Sequence, residues 1–227
     1  MDNRMKGLFG VGIASVAFVL FFLYVYQPKA KEARATTKVD QTMRPSARYY
    51  DPPLRFVPSF EFPAQTGDTL SDQDLRGSVY VVDFFFTECP AACPMMSSNM
   101  TKVQEAFRDV PGFKIVSFSL EPQKDSIPVL QEYAKRFGAV PGHWYFLTGE
   151  QRAIYALGRE HFKLAVVYNG PSDIDHSEKF VLVDTKGGIR GFYQGTNEKE
   201  VGQLIKDARY LLNEQGLFRA ASSSDAP

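Results

Sequence analysis

Val79 to Phe86 reads VYVVDFFF, an almost unbroken apolar run. A strand with one wet face alternates apolar and polar residues. A strand that is apolar nearly throughout must be covered on both faces, which favours a sheet with helices on either side. The neighbouring segments agree with that layering. Pro94 to Arg108 places Met96, Met100, Val103 and Phe107 at helical spacing. Phe113 to Leu120 reads as a second buried strand and Ser126 to Phe137 as a second helix. His143 to Leu147 is a short strand, and Glu150 to Glu160 a short helix. Phe180 to Asp184 and Ile189 to Gln194 form a strand pair joined by Thr185-Lys186-Gly187-Gly188, whose glycines supply positive φ. Asn197 to Asn213 closes the series as a capped amphipathic helix.

The order β-α-β-α followed by β-β-α predicts an α/β fold, a thioredoxin-like central sheet flanked by helices, spanning residues 56–216. Before it, Leu8 to Tyr26 contains 19 residues without a charge. As a helix this run is roughly 28 Å long, close to the hydrocarbon thickness of a bilayer. It is read as an uncleaved N-terminal transmembrane helix within residues 1–27, in preference to a cleaved signal peptide or a core helix. Residues 28–55 turn polar and lack a periodic apolar face, as expected of a tether. Residues 217–227 read as a flexible tail. Lys29, Lys31 and Arg34 follow the apolar run, so charge alone does not set the orientation.

Charge removes one class of function. Lys and Arg total 26 and Asp and Glu total 26, so no basic field points to nucleic acid. The chain has two cysteines, too few for a scaffold stapled by disulfides. Both stand in Glu88-Cys89-Pro90-Ala91-Ala92-Cys93-Pro94, where a bridge would close only a tiny loop. Chemistry explains them better than stapling. Cys89 falls just past the end of the first central strand and Cys93 in the first turn of the next helix. Ligands of open α/β sheets gather at the carboxyl ends of strands, and a helix N-terminus stabilises thiolates. The i, i+4 spacing puts both sulfurs on one side of a helical turn. The pair then either chelates one soft metal ion or closes into a disulfide.

Of the three histidines, His143 and His161 read as ordinary structural residues, one entering a strand and one ending a helix. His176 stands apart, in the polar segment Gly170-Pro171-Ser172-Asp173-Ile174-Asp175-His176-Ser177 before the strand Phe180 to Asp184. In a thioredoxin-like fold a loop at that position packs across from the cysteine helix. Two thiolates and an imidazole suit copper in either oxidation state. Asp173 or Asp175 would fix the imidazole tautomer. Met95 and Met96 are read as packing residues, Met96 because it continues the stripe to Met100.

Phe84-Phe85-Phe86-Thr87-Glu88-Cys89-Pro90-Ala91-Ala92-Cys93-Pro94 resembles the F-x-x-C-P-x-x-C-P signature of the Sco/SenC family. The resemblance continues through Ser117-Phe118-Ser119-Leu120-Glu121-Pro122 with Asp125, through Gly142-His143-Trp144-Tyr145-Phe146-Leu147-Thr148-Gly149, and through Asp175-His176-Ser177. It spans about Pro58 to Leu212. It implies a thioredoxin-like domain that binds one copper ion, Cu(I) or Cu(II), through Cys89, Cys93 and His176. It also implies delivery of copper to cytochrome c oxidase, or upkeep of the thiols at that copper site. The receiving partner would be the copper-bearing oxidase subunit or a related copper or thiol protein. The domain is then expected to face the periplasm or an equivalent extracytoplasmic space, held to the membrane by the N-terminal helix. Two departures from the pattern stand out: Glu88 beside Cys89, and Ala91-Ala92 in place of an acidic and aliphatic pair. The competing reading is a membrane-anchored thiol–disulfide oxidoreductase using Cys89 and Cys93. A peroxidase fits less well, because the surroundings of Cys89 lack the residues such enzymes use.

Overall fold

The computed structural model describes residues 45–90, 92–170 and 173–217, with side chains undescribed at 167–170 and 173–176. The expected membrane helix, most of the tether and nearly all of the tail lie outside the described residues. No helix among the described residues is long and apolar enough to cross a membrane.

Five strands form the central sheet: β3 (Val79–Phe85), β4 (Phe113–Ser119), β5 (Trp144–Leu147), β8 (Lys179–Val183) and β9 (Ile189–Gln194). Their order is β5-β4-β3-β8-β9, with β3, β4 and β5 parallel and β8 and β9 joined antiparallel. Two hairpins lie outside this sheet, β1 (Glu61–Pro63) with β2 (Thr69–Ser71), and β6 (Val166–Gly170) with β7 (Asp173–His176). The helices are α1 (Ala92–Ala106), α2 (Ile127–Arg136), α3 (Gln151–Ala156) and α4 (Glu198–Glu214). A π-helical turn, Leu157–His161, extends α3.

β3 is buried at all seven positions, as its composition required. Its two faces meet different layers. Phe84 stacks on Phe118 at 5.2 Å, and Phe60, Phe62 and Phe162 close around them. Phe85 turns the other way, against Tyr133 of α2 at 5.1 Å and Phe146 at 5.3 Å. On that second face α1 and α2 are joined by polar contacts, Ser97 Oγ to Tyr133 OH at 2.9 Å and Gln104 Nε2 to the Gly138 carbonyl at 2.9 Å.

Residues 45–57 differ from the sequence reading. The stretch 45–55, read as the end of a tether, is hydrogen-bonded along β9. Tyr50 N donates to Arg190 O at 2.7 Å, Leu54 N to Ile189 O at 3.0 Å, and Ile189 N to Arg55 O at 2.8 Å. Farther up, Ser46 donates through both its amide and hydroxyl to the buried Asp207, which also accepts from Tyr193 OH. The segment is held by backbone pairing and buried polar partners, neither of which leaves an apolar period to read. Gly188 permits its close approach: a Cβ there would meet Asp184 Oδ2 at 2.6 Å and Pro53 Cβ at 2.8 Å.

Asp83 places a charge-bearing group inside the sheet–helix layer. Asp83 is fully buried, accepts from Ser117 Oγ at 2.5 Å, and Ser117 Oγ in turn accepts from Trp144 Nε1 at 2.9 Å. Burial outweighs that hydrogen bond and raises the carboxyl to about 7. The folded chain therefore holds a proton that the unfolded chain releases near pH 4. Stability contributed by Asp83 is largest below pH 4 and declines as pH rises to 7, by an amount on the order of 4 kcal/mol. Asp83→Asn keeps the polar contact without the charge. Its melting temperature is expected to exceed that of the wild type at pH 8, with the gap closing toward pH 4. Calorimetry across that range checks this, and parallel curves for the two chains would disprove it.

Candidate thiol and metal site

Cys89 lies four residues beyond β3, its amide donating to the Phe86 carbonyl at 3.3 Å. α1 begins three residues later, ahead of the expected Pro94, so Cys93 and Pro94 both sit in its first turn. Pro94 costs nothing there, because first-turn amides have no intrahelical acceptor. The Cys93 amide is one of those orphan donors, and it points at Cys89 Sγ from 3.3 Å. The Cys93 thiol also hydrogen-bonds to Cys89. The two sulfurs thus converge at the carboxyl end of β3, as the spacing suggested.

They are not equivalent. Cys89 is 9% exposed and Cys93 is sealed at 0%. Both are thiols, with no disulfide between them. Burial first, and then the hydrogen bond to Cys89, push the Cys93 thiol far above the ordinary thiol range. Cys93 keeps its proton until a stronger electrophile, a metal ion or a second sulfur, takes the place of that proton. Cys89 is the less buried of the two sulfurs.

The approach to Cys89 is fixed by Asp125. Its carboxylate accepts from the Thr87 amide at 3.3 Å, from the Thr87 hydroxyl, and from Ser119 Oγ at the end of β4. Burial raises this carboxyl, and the three donors oppose the shift. The loop between β3 and the first cysteine is therefore pinned to the neighbouring strand two residues before Cys89. At the surface, Lys124 Nζ lies 3.1 Å from Glu88 and 3.1 Å from Glu121. Glu88 is thus partly neutralised by a cation. Beneath the pair, Tyr133 is buried, and burial pushes its hydroxyl above the usual range.

His176 ends β7 with its backbone opposite Val166. It belongs to a strand instead of the expected loop, and Ser177 N closes the pairing on Ala165 O at 2.7 Å. The β6–β7 hairpin is short, and Asp173-Ile174-Asp175-His176 has too few apolar residues to mark a strand in sequence. Val166 packs beside Gly158 and Phe84, which brings the hairpin to the sheet's carboxyl end. The His176 side chain, like those of Asp173 and Asp175, lies outside the described residues. Among the described residues no group of three or more His, Cys, Asp or Glu is gathered for a metal ion.

The other candidates fall as structure or surface. His143 is buried with Nε2 3.0 Å from the Phe107 carbonyl, and burial lowers its pKa. His161 ends the π-helical turn. Met96 is fully buried, whereas Met95, expected to pack, is 53% exposed. Pro94 and the tight first turn direct it outward.

The chain matches the SCO1/SenC family model over residues 49–213. It is 31% identical over 161 residues to the SCO1 protein homolog of Bacillus subtilis, covering 69% of this chain and 83% of that protein. A solved SCO1/SenC family lipoprotein from Bacillus anthracis is 30% identical, with a TM-score of 0.66 over 70% of this chain and 96% of the lipoprotein. BsSco, described as a member of the Sco family of cytochrome c oxidase assembly proteins with a disulfide switch, is 29% identical, with a TM-score of 0.64 over 73% and 97%. Bradyrhizobium japonicum ScoI, solved with copper bound, shares the fold at 21% identity, a TM-score of 0.55, and 66% and 98% coverage. With 165 contiguous residues matched to the family model and the cysteine pair at the end of the first central strand, the chain belongs to the SCO1/SenC family.

Proposed function

We propose that this protein carries copper for cytochrome c oxidase assembly. It binds one ion through Cys89, Cys93 and His176 and passes it to the copper site of that enzyme. The observation that carries the reading is the convergence of two buried sulfurs, one 9% exposed and one sealed, joined by hydrogen bonds from Cys93. Two thiolates are soft donors that suit Cu(I), and an imidazole extends the set to Cu(II). The copper ion is cargo here. Loading displaces the protons of both thiols, so uptake releases protons. Unloading begins at Cys89, the less buried sulfur, and Cys93 keeps its hold until the partner's donors have replaced the first. The copper-bound relative and the oxidase-assembly relative support the assignment. The uncharged run Leu8 to Tyr26 supports a single-pass anchor with the domain on the extracytoplasmic side.

The same geometry favours a second reading, a thiol–disulfide oxidoreductase. Cys89 thiolate attacks a partner disulfide, forming a mixed disulfide and releasing one partner thiolate. Cys93 then attacks Cys89 Sγ, which forms the Cys89–Cys93 disulfide and releases the second partner thiol. Two electrons pass from this chain to the partner.

An anaerobic competition titration of the full chain against a Cu(I) chelator separates the readings. The wild type is expected to take one Cu(I) per chain, and Cys89→Ser or Cys93→Ser to weaken binding by more than about 100-fold. His176→Ala is expected to lose about tenfold for Cu(I) and more for Cu(II). Equal affinity of wild type and His176→Ala for both copper states would exclude the three-donor site. Loss of copper binding with retained disulfide reduction would select the oxidoreductase.

Asp125→Asn turns one carboxylate oxygen into a donor facing three donors. Copper affinity should fall about tenfold, as for groups that orient ligands, with the stoichiometry still one per chain. Unchanged affinity at unchanged stoichiometry would remove Asp125 from the site.

A further inference from the structure

Five large apolar side chains are well exposed among the described residues, and three of them, Tyr50 at 38%, Leu54 at 47% and Phe56 at 60%, fall within seven residues. All three belong to the segment that runs down the edge of β9. Leu54 and Phe56 are both exposed, on either side of the half-buried Arg55. Phe56 is paired with Gly188, in the turn between β8 and β9, and Val57 N donates to Gly187 O at 2.8 Å. Gly77 N, just before β3, donates to Thr185 O at 3.0 Å, so this turn lies at the amino end of β3. The apolar face therefore occupies the base of the sheet, at the end remote from the cysteines.

The charges beside this face are partly paired. Asp51 is paired with Arg190, and Asp72 with Arg76, whose guanidinium also donates to the Lys186 carbonyl. Arg55 and Lys186 form no ion pair among the described residues, and Arg55 Nε is buried without a hydrogen-bond partner. Aromatic and aliphatic side chains beside uncommitted cations match the interface of an anionic bilayer, where rings sit at the headgroup level and guanidinium binds phosphate.

We infer that the base formed by Tyr50, Leu54 and Phe56, with Arg55 and Lys186, is a lipid-contact surface for anionic headgroups. The inference rests on the anchored reading proposed above. Residues 27–44 separate the apolar run from the described domain. An anchored domain is held beside the bilayer, and a weak surface suffices. β3 rises about 23 Å from base to tip. Docking by the base points the thiol pair away from the lipid, toward the extramembrane part of another membrane protein.

The test uses the full chain in vesicles of phosphatidylcholine with one-third phosphatidylglycerol. Trp144, the chain's single tryptophan, is fully buried and gives a constant background. Phe56→Trp adds a reporter at an exposed position, and an unchanged melting temperature shows that it folds. Phosphatidylcholine brominated at carbons 6 and 7 is expected to quench the added emission by about half while sparing the wild-type signal. Arg55→Gln with Lys186→Gln, or vesicles without the anionic lipid, should reduce that quenching at least twofold. A chain that stays with the vesicles after alkaline extraction yet shows no added quenching overturns the docking surface and leaves the anchor intact. A chain released by that extraction overturns the anchor. In that case vesicle association with quenching before extraction still supports the surface, and its absence overturns it. Quenching insensitive to lipid charge and to both substitutions overturns the headgroup assignment.

Discussion

A single amide at the start of α1 organises the reactive end of this protein. The Cys93 N–H takes Cys89 Sγ as acceptor at 3.3 Å. That contact draws Cys89 toward the positive end of the helix. It also forces asymmetry, since the donor residue must lie inside the helix and the acceptor on the approach to it. The sealed Cys93 and the slightly exposed Cys89 follow from this one arrangement.

The rest of the fold holds that junction still. β3 is clamped on both faces by aromatic layers, Phe84 against Phe118 on one side and Phe85 against Tyr133 on the other. Asp125 ties Thr87 to the end of β4, so the loop cannot slide relative to the sheet. Tyr133 and Ser97 join α2 to α1 directly behind the cysteines. Copper exchange and disulfide exchange both need the sulfurs near one another without collapse of the surrounding core. A short loop tied through Thr87 to Asp125 meets that need.

Polar residues inside the domain serve different ends. Asp207 and Asp184 gather the amino-terminal segment against α4 and β9, and each is satisfied by several donors. Asp83 has one donor in a fully buried position, so desolvation dominates and its charge becomes pH-dependent. The number of donors that reach a buried carboxylate decides which of these roles it plays.

The sequence by itself determined the strands and helices of the central layer, because apolar runs and 3.6-residue stripes are local signals that burial enforces. It also determined the cysteine pair's place, since a short link from a buried strand to a helix leaves two residues four apart few positions to occupy. Only the tertiary structure decided that residues 45–55 belong to the sheet edge, that His176 ends a strand, that Met95 faces outward, and that Asp125 holds the approach to Cys89. These depend on partners ten or more residues away, Arg190 for Tyr50, Val166 for His176 and Thr87 for Asp125. A polar segment reads the same whether its hydrogen bonds go to water or to a distant strand, and folding alone makes that choice.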